Sequence, residues 1–112
     1  MAKFLILYTG GMSAKEQMAN ASPEEAKKGM DMWMEWAKKV GDKMVDMGSP
    51  LGDAQKVDND GAQNVESKLG GYSIVEAESL DDAVKLMDGH PHLMMPGAQI
   101  KVLECLPMPG ME

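Results

Sequence analysis

Residues 3–9, KFLILYT, are apolar on both faces of one extended segment. Successive strand side chains point to opposite sides, so Phe4, Ile6 and Tyr8 oppose Leu5 and Leu7. A strand apolar on both sides belongs in the middle of a sheet whose two faces are covered. The chain has 112 residues, enough for one core. A domain of that length buries only about 65% of its unfolded surface, so little material is at hand to cover both faces.

Local signals set the other elements. Ser22 is the predicted N-cap of a long helix, with Pro23 at the first helical position and Glu25 completing a capping box. Ala26, Met30, Trp33, Ala37, Val40, Met44 and Met47 recur at spacings of four and three, one stripe along a helix face. Gly48 is the predicted stop. Gly41 weakens the helix by about 1 kcal/mol relative to alanine and offers a kink or an early end. Turn formers at 48–50, 52–53 and 58–61 bracket a strand over 54–57 and a weaker one over 62–65, joined by a hairpin turn at Asn59-Asp60-Gly61. Residues 70–77, GGYSIVEA, read as a strand. Ser79 and Asp82 open a short helix that Gly89 closes, and residues 98–105, AQIKVLEC, form the last strand.

This order predicts an α+β fold of the ferredoxin-like βαββαβ type, an antiparallel sheet with two helices on one face. It spans a single domain over residues 1–106, with 107–112 as a loosely ordered tail. The helices cover one sheet face. The other apolar face calls for a second copy packed sheet to sheet, a homodimer.

Composition narrows the partners. Eighteen acidic against eleven basic residues give a net charge of −7, which disfavours nucleic acid and anionic membrane surfaces. Every basic residue is lysine, so no guanidinium can grip a carboxylate or phosphate bidentately. Cys105 is the only cysteine, which excludes an intrachain disulfide and CxxC metal sites and points to the cytoplasm. The apolar run near the N-terminus is too short for a signal peptide or a membrane span. Thirteen methionines either fill an irregular core or line an apolar pocket.

Residues 66–80, ESKLGGYSIVEAESL, continuing through Asp81-Asp82-Ala83, resemble the YCII-related family and specifically its DGPF-domain branch. The opening KFLILYTGG, the segment GSPLG at 48–52, and His90-Pro91-His92-Leu93 followed by Gly97 agree with it. GGYSIVEA is the most specific part. The resemblance implies a dimeric α+β barrel, with a loose link to small-molecule lyases, isomerases and dehalogenases of aromatic breakdown. Two positions depart from the pattern. The Asp-Gly-Pro-Phe motif is replaced by Asp60-Gly61-Ala62-Gln63-Asn64. The YCII branch has a histidine near its first helix, proposed as half of a catalytic His–Asp pair, whereas the histidines here are His90 and His92. That pair is not carried over.

Histidine is the side-chain type suited to acid–base work near neutral pH, which singles out His90 and His92. Either one acts as general acid or base, or the pair binds a metal, or both cap the C-terminal end of the short helix. His-x-His alone falls short of the three or four ligands of a zinc site, and no metal or cofactor is expected. Asp53 and Asp60 either bond their own turns or face a histidine and raise its basicity. Tyr72, like Tyr8 on a central strand, either presents its hydroxyl to a pocket between sheet and helices or belongs to the core. Trp33 reads as core, Trp36 as a lid or interface residue, and Cys105 as buried and inert. Gly10-Gly11 and Gly70-Gly71 read as turns; GxGxxG, Walker, GxSxG and HExxH motifs are absent. The expected function is a cofactor-independent lyase or isomerase that moves a proton on a small apolar or aromatic-derived ligand, with His90, His92, Asp53 and Tyr72 as catalytic candidates. The alternative is a non-catalytic module that binds such a ligand or dimerises.

Overall fold

The computed structural model describes residues 1–11 and 14–110. Along the chain run β1 (Ala2–Thr9), α1 (Ala14–Asn20), α2 (Pro23–Val40), β2 (Met44–Asp46), β3 (Ala54–Asp58), β4 (Gly61–Val65), β5 (Leu69–Ala77), α3 (Leu80–Lys85) and β6 (Gln99–Glu104), with 3-10 turns at Gly41–Lys43 and Pro91–Met94. The main sheet is antiparallel with spatial order β2-β5-β1-β6, so β1 is central as its two apolar faces require. Phe4, Ile6 and Tyr8 of β1 and Val75 and Ala77 of β5 pack under Trp36 and Val40 of α2 and Ala83 and Met87 from the α3 side. This is the ferredoxin-like α+β arrangement. Both predicted serine N-caps form: Ser22 Oγ accepts from the Glu25 amide and Ser79 Oγ from the Asp82 amide, each at 3.1 Å.

The helix stripe predicted to reach Met47 stops at Val40. Gly41 takes φ +63°, open to glycine at little cost, and its amide bonds the Ala37 carbonyl. The chain then turns, and Met44–Asp46 becomes the edge strand, with Met44 opposite Val75. The predicted hairpin exists but stays outside the main sheet. β3 and β4 pair only with each other, from Ala54↔Val65 to Asp58↔Gly61. Helix α1 has no counterpart among the expected elements. Gly70 and Gly71 lie inside β5, as the strand expected over 70–77 has them, and form no turn. Cys105, expected buried, is exposed, because β6 ends at Glu104 and only the Cys105 amide is held, by the Lys3 carbonyl at 2.9 Å.

The far face of the sheet holds Leu5, Leu7, Tyr72 and Ile74, half-buried, with Leu103 and Val45 more open. Residues 105–110 continue without helix or strand and expose Leu106 and Met108. Among the described residues no helix is long and apolar enough to cross a membrane.

Candidate functional site

A cavity of about 380 Å³ opens between the sheet and α2, within the range of small-ligand sites. Its existence traces to missing side chains. Gly71, Ser73, Val75 and Ala77 alternate toward the helices, so the position nearest the end of β5 projects nothing into the layer. A Cβ added at Gly71 would lie 3.2 Å from the Ser49 carbonyl and 3.4 Å from the Tyr8 ring. Met47, Gly48, Ser49 and Pro50 close one side, Met30, Trp33 and Met34 of α2 form the opposite wall, and Gln17 of α1 and His92 complete it.

Behind this wall runs a chain of buried polar groups whose proton positions follow from its two ends. His90 Nδ1 accepts from the His92 amide at 3.0 Å, so the proton of the neutral ring sits on Nε2. Nε2–H then donates to Tyr8 Oη at 3.1 Å. Tyr8 in turn donates to Ser73 Oγ at 2.8 Å, and Ser73 donates to the Met47 carbonyl at 2.7 Å. Every donor is used once, and the chain links the His92 segment to the loop on the other side of the cavity.

Burial sets the electrostatics of this chain. His90 is 1% exposed, with Trp36, Trp33 and Tyr8 centred 4.2, 4.6 and 4.8 Å from its ring. Desolvation first, and the charge of His92 second, bring the His90 pKa down from 6.5 to about 3. Burial raises Tyr8 to about 12 against the opposing pull of its bond to Ser73. Near neutral pH both are therefore uncharged members of the scaffold.

His92 is placed differently. Its Nε2 lies 3.0 Å from the Thr9 carbonyl, which can only accept, so Nε2 carries the proton. The β-bulge at Tyr8/Thr9 is the kind of break that leaves a carbonyl outside the ladder, and His92 fills it. Nδ1 is thereby left with its lone pair, and it has no hydrogen-bond partner among the described residues. None of their fully buried side-chain nitrogens lacks a partner, so His92 Nδ1 reaches open space, and His92 lines the cavity. A main-chain carbonyl holding one ring nitrogen, with the other left open on a residue that borders a cavity, is an arrangement a general base can use.

The other candidates lie elsewhere. Asp53 pairs with Lys15 at 3.3 Å on the surface, with 87% of its side chain exposed, and is not part of the cavity wall. Asp60 sits in the hairpin turn, its amide bonded to Asp58 Oδ1 at 2.9 Å. Tyr72 borders the cavity, yet it pairs with Leu7, so strand alternation sends its ring to the face opposite Tyr8 and Ser73. The histidines do not cap the short helix: His90 caps the 3-10 turn that follows it, through the His92 amide. The two tryptophans exchange their expected places. Trp36 is buried, its indole N–H bonded to the Leu86 carbonyl at 2.8 Å, whereas Trp33 stands on the cavity wall edge-on to Tyr8 at 4.9 Å. The pairing of Tyr8 with His90 has no local signal, being 82 residues apart. Among the described residues no three His, Cys, Asp or Glu side chains gather as a metal site would need.

The chain is similar in fold to a 5-chloro-2-hydroxyhydroquinone dehydrochlorinase from Burkholderia phenoliruptrix AC1100, solved in complex with 2,5-dihydroxybenzoquinone. The TM-score is 0.55 at 18% sequence identity, over 98% of this chain and 99% of that one. No family model and no curated protein matches the chain.

Proposed function

We propose that this chain is a small-molecule enzyme of the lyase or isomerase type, working without a cofactor, in which His92 Nδ1 takes a proton from a ligand held in the Met-lined cavity. The observation that carries this reading is the lone pair of His92 Nδ1, unpaired and facing open space while Nε2–H is anchored on Thr9. The fold shared with an enzyme solved with a small quinone ring supports it, as does the resemblance to the YCII-related family. In this reading His90, Tyr8 and Ser73 position the site, and Asp53 and Tyr72 take no part in the proton transfer.

The test is deuterium exchange from D₂O into a panel of hydroquinones and cyclic hydroxyketones, followed by proton NMR. Wild type exchanges at least one member, and His92→Gln does so at least about 100-fold more slowly with an unchanged circular dichroism spectrum. Undiminished exchange in the variant removes His92 from the chemistry. A wild type that exchanges none favours the alternative, a non-catalytic ligand-binding module. One observation speaks for that alternative: among the described residues no carboxylate is hydrogen-bonded to either histidine.

The far sheet face is the proposed surface of a homodimer. Leu5, Leu7, Ile74, Leu103 and Val45 form an apolar strip there, and a twofold-related copy presents the same strip in return. Leu7→Lys buries an unpaired ammonium in that contact, which costs several kcal/mol. Sedimentation velocity at micromolar concentration should show a dimer for wild type and a monomer for the variant; a monomeric wild type ends the proposal.

A further inference from the structure

The cavity wall carries donors and acceptors but no fixed countercharge. Among the described residues, no lysine, aspartate or glutamate lines it. Lys15, two residues before the wall residue Gln17, is committed to Asp53 at the surface, with side chains 75% and 87% exposed. An anionic ligand would exchange its hydration for methionine and tryptophan surface with no cation to meet it, and would enter against a chain charge of −7.

The polar atoms that remain describe a different guest. His92 Nδ1 is an acceptor for a hydroxyl. The indole N–H of Trp33 has no partner among the described residues, and because none of their buried side-chain nitrogens is left unpaired, it too reaches open space. It is a donor for a carbonyl or hydroxyl oxygen. Trp33 and Tyr8, set edge to face at 90°, offer a ring surface beside these two atoms, and about 380 Å³ is room enough for one substituted ring.

We infer that the cavity selects uncharged hydroxylated rings and rejects the same rings bearing a carboxylate, sulfonate or phosphate. The inference rests on the proton-transfer reading only in seating the ligand at His92. Its test compares catechol with 2,3-dihydroxybenzoate by calorimetric titration, on wild type and on Met34→Lys. Met34 stands on the wall and is 54% exposed, so a lysine there reaches the cavity without burying its charge.

Wild type should bind catechol and hold the benzoate at least about 30-fold more weakly, as an uncompensated charge in an apolar site demands. Met34→Lys should shift the preference about tenfold toward the benzoate, read as the ratio of the two affinities, through a charge-assisted contact. Three outcomes overturn the inference: benzoate binding as tight as catechol in wild type, no catechol binding at millimolar concentration, or a preference that Met34→Lys leaves unmoved. Binding is read here without turnover. Charge selectivity in a protein that exchanges no ring proton would sink the proton-transfer reading alone, and exchange with indiscriminate binding would sink this one alone.

Discussion

Replacing Gly48 with alanine should cost about 2–5 kcal/mol, a large share of a whole-domain stability of about 5–15 kcal/mol. Gly48 has φ +80°, and a Cβ built on it would lie 1.7 Å from the Tyr72 carbonyl oxygen and 2.6 Å from its carbon. The obstacle is main chain of a central strand, which cannot rotate away. The left-handed conformation costs an L side chain about 1–2 kcal/mol, and forced displacement of packed structure adds about 1–3 kcal/mol. The damage also reaches the site, since the neighbouring Met47 carbonyl receives the Ser73 hydroxyl and the Gly48 amide is held by Asp46 Oδ1 at 2.8 Å. Gly29→Ala is the control. It lies within α2 with nothing inside 4 Å of the added carbon, so it should stabilise by about 0.5–1 kcal/mol. Urea titration of both variants settles the matter; a Gly48→Ala loss below about 1 kcal/mol would mean that the loop does not approach β5 as described.

The second large effect is acid lability. His90 has a folded pKa of about 3 against 6.5 for the free group. Between those values the unfolded chain holds the proton and the native one does not. Stability is therefore complete above pH 6.5 and falls as pH drops toward 3, by at most about 1.4 kcal/mol per pH unit. Tyr8 produces the mirror effect at the alkaline end. The unfolded phenol ionises first, so stability declines as pH rises from 10 to about 12. Stability from denaturant melts at successive pH values should trace a plateau with two falling limbs. His90→Gln, which cannot take up the proton, should lower the plateau and flatten the acid limb. An acid limb equally steep in the variant would place its cause elsewhere.

What could be read from the residues beforehand depended on how local its cause was. Ser22 and Ser79 announce their helices because the capping partner is three residues away. The end of α2 was harder to see, since the four-and-three spacing runs on through Met44 and Met47 and only the backbone of Gly41 breaks it. With β2 reduced to three residues, the stronger pattern at 54–65 drew attention to a hairpin that the main sheet does not use. In the site, chemistry alone singled out His90 and His92. Their separation into a fully buried ring and a ring bordering the cavity depends on Trp33, Trp36, Tyr8 and the Thr9 carbonyl, all remote in sequence. The cavity did leave a sequence trace: of two glycines at the start of a strand, the one on the inner face marks a missing side chain as readily as it marks a turn.

The buried polar chain ends on the Met47 carbonyl, and His92 rests on that of Thr9. Neither amide oxygen is basic enough to carry a proton onward, so both routes into the protein are closed to hydron relay. In a proton-transfer reaction, a hydrogen captured by His92 has two destinations, back to the molecule that released it or out through the methionine-rimmed mouth. Such a site favours one-base chemistry on a single face of its guest, with the label partly retained in each turnover.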